Sequence, residues 1–168
     1  KGYLLLVEKS TNRLTDMVSK ILDVEAIDSR QLKVTLTNLD LSEVIRSVVE
    51  RFQPEAHKKH LRIYSSIAEN VSVSADASYT EQILENILSN AVKFSPANKN
   101  IYVSLVVEEN MAVCEIRDEG PGLTEDDKKK LFGKYQKLSA NPTGNETSTG
   151  LGLAIVKKFV DAMWGDTW

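Results

Sequence analysis

Three short stretches of this chain carry residues whose types and spacing could handle a phosphorylated ligand. The first is 81–95. Ile83, Leu84, Ile87, Leu88 and Ala91 recur at helical spacing and form one apolar stripe. Asn86, Asn90 and Lys93 fall at i, i+4 and i+7, on a different face of the same helix. Asparagine is a mediocre helix former, so two on one face need a reason. A carboxamide oxygen is a hard, neutral ligand of the kind Mg²⁺ accepts beside its waters and substrate phosphates. Lysine adds a cation for phosphate. A solvated polar face would carry the same residues, and the segment alone does not choose between the two.

The second stretch is Asp118-x-Gly120-x-Gly122. Its glycines let the backbone turn sharply and let a ligand approach without a Cβ in the way. A carboxylate at a strand end, on the floor of a pocket, can accept a hydrogen bond from an exocyclic amine. Adenine offers such an amine where guanine presents a carbonyl. Many ordinary turns also read Asp-x-Gly. The third stretch, Thr149-Gly-Leu-Gly-Leu153, sets glycines at a helix start, where free N–H groups and the helix dipole favour phosphate. The same glycines would serve close helix packing. It is not a Walker loop, since no Gly-Lys-Ser/Thr follows, and the G-x-G-x-x-G spacing of a dinucleotide site is absent.

The elements that must position these stretches can be read in order. Over 1–26, Leu4, Val7, Thr11, Leu14, Val18 and Ile21 form a heptad-like seam, which predicts a long helix seeking a partner. The chain starts inside that pattern with no capping signal, which suggests a fragment of a longer protein. A turn is expected over 28–31, and alternation predicts a strand over 33–39. Asp40 and Glu43 make a capping-box-like start for a helix with Leu41, Val44, Ile45, Val48, Val49 and Phe52 as its stripe. Pro54 should kink that helix. Residues 62–65 and 70–74 read as short strands. Asp76 is the expected N-cap of the helix carrying Asn86 and Asn90, and Pro96 follows its end.

Residues 101–107 and 111–117 alternate on either side of Glu109-Asn110, a hairpin pattern. A short helix is expected over 124–130, with Thr124 at its N-cap and Asp126 and Asp127 in its first turn. Leu131, Phe132 and Tyr135 anchor the chain beyond it, among Lys134 and Lys137. Residues 139–149 hold Asn, Pro, Gly, Ser and Thr and almost nothing apolar, so a mobile loop is expected. The last helix opens at 150–153 and buries Ile155, Val156, Phe159, Val160 and Met163.

Composition narrows the classes. A hydrophobic fraction of 42% supports a real core. A net charge of -3 and a pI near 5.5 argue against a general nucleic-acid binder, which needs a basic stripe. No apolar run approaches the roughly 18–20 residues that span a bilayer. The single cysteine, Cys114, allows no internal disulfide and no cysteine-based zinc site, and reads as a small buried strand residue. A reducing cytoplasm fits this usage. His57 and His60 sit in the basic exit of a helix and read as a solvated end rather than a metal site.

The order of the boxes is more specific than any one of them. Asn86-x-x-x-Asn90-Ala-x-Lys93-Phe94, a hairpin, Asp118-x-Gly-x-Gly122, Phe132-x-x-Tyr135, a loop and Gly150-Leu-Gly-Leu153 resemble the catalytic ATP-binding domain of bacterial sensor histidine kinases. That domain belongs to the wider superfamily of the gyrase, Hsp90 and MutL-type ATPases. The likeness runs over about 40–165. The N-terminal helix, with Leu14 and Ile21-Leu-Asp23, is similar to the second helix of the dimerisation and histidine-phosphotransfer domain of those kinases. The resemblance implies an α+β fold, a two-layer α/β sandwich with helices on one face of a mixed, mostly antiparallel sheet, preceded by a long N-terminal helix. It implies a truncated phosphotransfer-domain helix over 1–27 and an ATP-binding domain over 28–168.

It also implies roles. Asn90, with Asn86 one turn before it, would hold Mg²⁺. Lys93 would contact phosphate, and Phe94 would lie near the base. Asp118 would read adenine, Gly120 and Gly122 would shape its turn, and Leu123 would join the ATP-binding set. Phe132 and Tyr135 would hinge a lid, with Lys134 and Lys137 approaching the phosphates. Thr149, Gly150, Leu151 and Gly152 would receive the triphosphate. The implied reaction moves the γ-phosphoryl group of Mg-ATP to a histidine on an upstream helix absent from this chain, for relay to a response-regulator receiver domain. The implied assembly is a homodimer through the N-terminal helix, with the domain in the cytoplasm and no nucleic acid bound.

Departures from the family pattern are visible too. No His-Glu/Asp acceptor motif is present, and the closing strands with Gly-Thr-x-Phe do not appear by Trp168. Lys137 replaces an arginine and loses bidentate phosphate geometry. Gly133 sits within the lid-hinge box. Two other classes stay in view. An ATP hydrolase of the superfamily would resemble this chain but carry a glutamate where Asn86 stands. A docking module would hold nucleotide without chemistry.

Overall fold

The computed structural model describes residues 11, 32–136, 138–144 and 149–168. The chain divides into two units, Lys1–Lys33 and Val34–Trp168, and every element below belongs to the second. The helix expected over 1–26 lies outside the described residues except for Thr11, which is helical. The turn expected over 28–31 also lies outside them, as does Lys137.

Strand β1 (Thr37–Asp40) leads into helix α1 (Leu41–Lys58). Asp40 has extended backbone, and its carboxylate accepts from Glu43 N at 3.1 Å, which starts the helix. Leu41, Ile45, Val48 and Val49 of the expected stripe are buried. The helix continues through Pro54 to Lys58. β1 is shorter than the strand expected over 33–39. It pairs antiparallel with β3 (Ser72–Ala75), which offers only four residues, Thr37 facing Ala75 and Asp40 facing Ser72. Upstream of that ladder, Thr35 N donates to Asp76 Oδ2 instead, at 2.8 Å.

Asp76 therefore serves two segments. Its other oxygen accepts from Tyr79 N at 3.1 Å and caps helix α2 (Ala77–Phe94), the helix of the asparagines. Strand β2 (Arg62–Ile67) runs parallel to β4 (Asn100–Glu108), and β4 runs antiparallel to β5 (Met111–Asp118). The β4–β5 ladder closes at Glu108 opposite Met111, leaving Glu109-Asn110 as the turn. Both have positive φ, 46° and 70°, the backbone that a two-residue hairpin with native twist requires.

The sheet is thus in two parts, β1-β3 and β2-β4-β5, with one parallel and two antiparallel ladders. The α+β class holds. Ile101, Val103 and Leu105 of β4 are 0%, 2% and 1% exposed and pack in one core with Ile45 and Val48 of α1 and Leu84 and Leu88 of α2. On the opposite face Tyr64 and Tyr102 stack at 5.7 Å, and the Arg117 guanidinium lies 4.7 Å from the Tyr102 ring centroid. Cys114 packs beside the core from β5 and is only partly buried.

Two helices complete the unit. In α3 (Glu125–Lys130), Thr124 and Asp127 form a reciprocal capping box. Helix α4 (Gly152–Ala162) buries Ala154, Ile155, Val156 and Phe159, while Val160 and Met163 of the expected stripe stay partly exposed. Phe159 stacks on Tyr79 of α2 at 4.2 Å between ring centroids, so α4 docks on the helix that carries the asparagines. His57 and His60 are exposed, and no cluster of three metal-ligating side chains occurs among the described residues.

Candidate functional site

A cleft of about 270 Å³ opens between α2, the turn after β5, and the chain beyond α3. Helix α2 supplies Ile87, Asn90, Ala91 and Phe94. The turn supplies Asp118, Gly122 and Leu123. Leu131, Leu138 and Ala140 close the far wall, and Leu153 of α4 completes it. The lining is apolar except at Asn90 and Asp118. Helical spacing makes this possible: Ile87, Asn90, Ala91 and Phe94 recur at three, four and seven, one face of α2, while Leu84 and Leu88 turn to the core.

Asp118 ends β5, paired with Ile101 in the ladder. Its Oδ1 accepts from Gly120 N at 2.7 Å. A carboxylate has about four acceptor positions, so the bond to Gly120 leaves capacity for a ligand. Gly120 keeps that carboxylate in place: a Cβ there would lie 2.5 Å from Asp118 Oδ1, which would have to shift, and 3.2 Å from Phe94 O. Glu119 pins the turn from the other side. It accepts from Asn100 N at 3.1 Å, from Asn100 Nδ2, and from Tyr102 Oη. The Asn100 side-chain and backbone donors hold its carboxyl below the usual glutamate value.

The glycine stretch meets α2 at its polar face. A Cβ on Gly152 would lie 3.1 Å from Asn86 Oδ1, while Asn86 Nδ2 donates to Gln82 O at 2.9 Å. The carboxamide oxygen of Asn86 therefore faces the amino end of α4. No side chain caps that end, so its first N–H groups suit an anion. Gly150 has φ +69°, and a Cβ there would meet Gln136 O at 2.7 Å. It is the crossing point at which the chain returning from the loop passes the backbone of 135–136.

The other expected site residues are placed as follows. Leu151 is 3% exposed and packs inside, its carbonyl accepting the first bond of α4 from Ile155 N. Lys93, Lys134 and Thr149 are partly exposed and do not line the cleft. Tyr135 is 63% exposed with φ +56°. Phe132 lines an adjoining hollow of about 200 Å³ with Cys114, Val156 and Trp168 rather than the cleft itself. Sequence reading assigns no role to Leu138 and places Ala140 in an expected mobile loop, so it missed both residues of the far wall. It also missed Asp127 and Thr143, which fix that loop. The Thr124-x-x-Asp127 spacing was the available signal for the first.

Residues 75–168 match the family described as Histidine kinase-, DNA gyrase B-, and HSP90-like ATPase. The chain belongs to that family. The sensor histidine kinase WalK of Bacillus subtilis is 28% identical over 169 residues, which cover 99% of this chain and 28% of WalK. Full-length ShkA in complex with AMPPNP superposes with a TM-score of 0.82 at 25% identity, over 97% of this chain and 34% of that one. The histidine kinase ThkA in complex with response regulator protein TrrA has a TM-score of 0.68 at 23% identity, over 95% of this chain and 45% of ThkA, a likeness of fold. The chain therefore spans less than half the length of each of these kinase chains. No helix among the described residues is long and apolar enough to cross a membrane.

The side chains of this ATPase-family member fit a magnesium nucleotide in their chemistry. The cleft offers apolar walls for a flat base and Asp118 as an acceptor for an exocyclic amine. The uncapped, glycine-led end of α4 suits phosphate. Asn86 and Asn90, one helical turn apart, present the neutral oxygens that Mg²⁺ accepts.

Proposed function

We propose that this chain is the ATP-binding catalytic domain of a sensor histidine kinase, which transfers the γ-phosphoryl group of ATP to a histidine on an upstream helix. The observation that carries this reading is the convergence of Asp118 and Asn90 on one apolar cleft, with the amino end of α4 against Asn86. Asp118 accepts the hydrogen bond of the adenine amine, and Phe94 and Leu123 hold the base between apolar surfaces. The N–H groups at Gly150 and Gly152 receive the phosphates, with Lys93, Lys134 and Lys137 contributing positive charge. Asn86 and Asn90 hold Mg²⁺, which when bound neutralises phosphate charge. Little covalent work is left to the protein, and its part is positioning and charge stabilisation.

The remaining assignments follow from the same reading. Residues 1–27 are the second helix of a dimerisation and phosphotransfer domain, and 28–168 the catalytic domain. The parent kinase dimerises through that helix, works with this domain in the cytoplasm, and passes its phosphoryl group to a response-regulator receiver domain. A hydrolase reading is disfavoured by Asn86, because a neutral amide cannot take a proton from water as a carboxylate can.

Calorimetric titration of this chain with a non-hydrolysable ATP analogue, with and without Mg²⁺, tests the proposal. Binding should be strengthened by Mg²⁺, and Asn90→Ala should remove that strengthening. The substitution places a better helix former in mid-helix, so its fold should persist. Equal Mg²⁺ dependence in wild type and variant would sink the role of Asn90. Absence of nucleotide binding in the wild type would sink the whole reading.

A further inference from the structure

Asp127 does more than cap its own helix. It is 7% exposed, and its carboxylate accepts four hydrogen bonds. Two come from Thr124: from N at 3.1 Å and from Oγ1 at 2.7 Å, both to Oδ2. Two come from Ser139, twelve residues away: from N to Oδ1 at 2.8 Å and from Oγ to Oδ2. A capping box needs only the bond from Thr124 N, with Asp127 N donating back to Thr124 Oγ1 at 3.1 Å. The Ser139 pair is additional, and it spans from the start of α3 to the loop beyond it.

The neighbours of those two donors give the clasp its meaning. Thr124 follows Leu123, and Ser139 lies between Leu138 and Ala140. Leu123, Leu138 and Ala140 all line the cleft, while Asp127 does not. One nearly buried carboxylate thus ties together backbone from two walls. A second tether holds the other end of the same strap. Thr143 N donates to Lys93 O at 3.1 Å, and Thr143 Oγ1 to Ser95 O at 2.8 Å, on either side of Phe94 in the sequence. Residues 139–143 are therefore fastened at both ends, with Ala140 at the cleft between them.

We propose that Asp127 is a positioning residue for base recognition: by joining Thr124 to Ser139 it sets the spacing between Leu123 and Leu138–Ala140, and through them the fit of the cleft to the base. The inference deepens the ATP-binding reading and rests on it. The donors that Asp127 receives, Ser139 foremost, hold its carboxyl well below the usual aspartate range, so it is ionised at neutral pH. An asparagine there keeps the shape but loses one acceptor oxygen and the charge that strengthens each bond.

The test compares wild type with Asp127→Asn and Ser139→Ala by competition titration with ATP and with GTP. Ser139 is exposed, so its truncation leaves a folded chain even if Asp127→Asn does not. Asp127→Asn should weaken ATP binding about tenfold, the size expected from losing charge-assisted bonds. Ser139→Ala should weaken it about threefold, and in both the ATP-over-GTP preference should fall. A merely structural residue would lower the melting temperature and leave that preference unchanged. Normal wild-type binding with an unchanged preference in both variants overturns the inference alone. Failure of the wild type to bind ATP overturns the ATP-binding reading and this inference with it.

Discussion

Gly152 stands directly against Asn86: a Cβ on the glycine would come within 3.1 Å of the carboxamide oxygen. The amino end of α4 and the polar face of α2 are therefore fitted to each other at one atom pair. Alanine is the better helix former, by about 1 kcal/mol in a helix interior and by less at Gly152, the first residue of α4. Gly152→Ala should therefore melt no earlier than wild type. Yet Asn86 must yield by a few tenths of an ångström, and its Nδ2 is already bound to Gln82 O. Nucleotide affinity should fall roughly fivefold, with the melting temperature held or raised. Thermal melts beside a titration check it, and full affinity in the variant would show that the fit is slack.

Asp118→Asn separates base reading from folding. The native carboxylate turns back onto Gly120 N, and the side chain is otherwise exposed. Asparagine can keep that bond with its oxygen, so the turn should survive. The remaining group becomes an NH₂, a donor set against a donor on adenine. ATP affinity should drop by about tenfold or more, and preference for ATP over GTP should shrink. Competition titrations with the two nucleotides measure both quantities. An unchanged preference would remove Asp118 from base recognition.

The sequence made local features legible because local features have local causes. Asp40 and Asp76 announced their helices, and both cap them by the expected bond three residues on. Glu109-Asn110 marked the hairpin turn through its spacing alone. The apolar stripe of α2 was visible in the period of the residues, but not that Ile87 and Ala91 of that stripe share the cleft face with Asn90. What stayed hidden was set by partners distant in sequence. β1 is short because β3 is short, and Thr35 finds Asp76 rather than a strand. A mobile loop is expected over 139–149, but Ser139 and Thr143 tie its first residues to α3 and to the end of α2. Phe132 and Tyr135 were read as one aromatic unit. The positive φ of Tyr135 separates them, leaving one exposed and the other lining the hollow beside the cleft.

Gly150 and Gly122 share a backbone conformation but not its surroundings. Their φ values are +69° and +73°. A Cβ on Gly150 would meet Gln136 O at 2.7 Å, a backbone atom that cannot swing aside. A Cβ on Gly122 would meet nothing within 4 Å. Gly122→Ala should therefore carry only the conformational cost, about 1 kcal/mol. Gly150→Ala should cost that and the clash, about 3 kcal/mol in all. Urea melts of the two variants give the comparison. Equal destabilisation would mean that the chain crossing at Gly150 opens more easily than its close packing implies.

Cys114 offers a probe of the sheet at a residue that does not line the cleft. Burial beside the core pushes its thiol up to about 11. The thiolate is the reactive form, so at pH 8 roughly a hundredth of the usual fraction is available, given an ordinary thiol value of 9.0. Alkylation by iodoacetamide should be about a hundredfold slower in the native protein than in urea. The sign of the linkage follows. The thiol is harder to ionise in the folded state than in the unfolded one. Its contribution to stability is therefore complete below about pH 9.0 and lost progressively as pH rises towards 11. Cys114→Ser should flatten that alkaline loss, because serine does not titrate there. Urea midpoints for both proteins between pH 8 and pH 10.5 check it, and parallel curves would assign the alkaline loss to other groups.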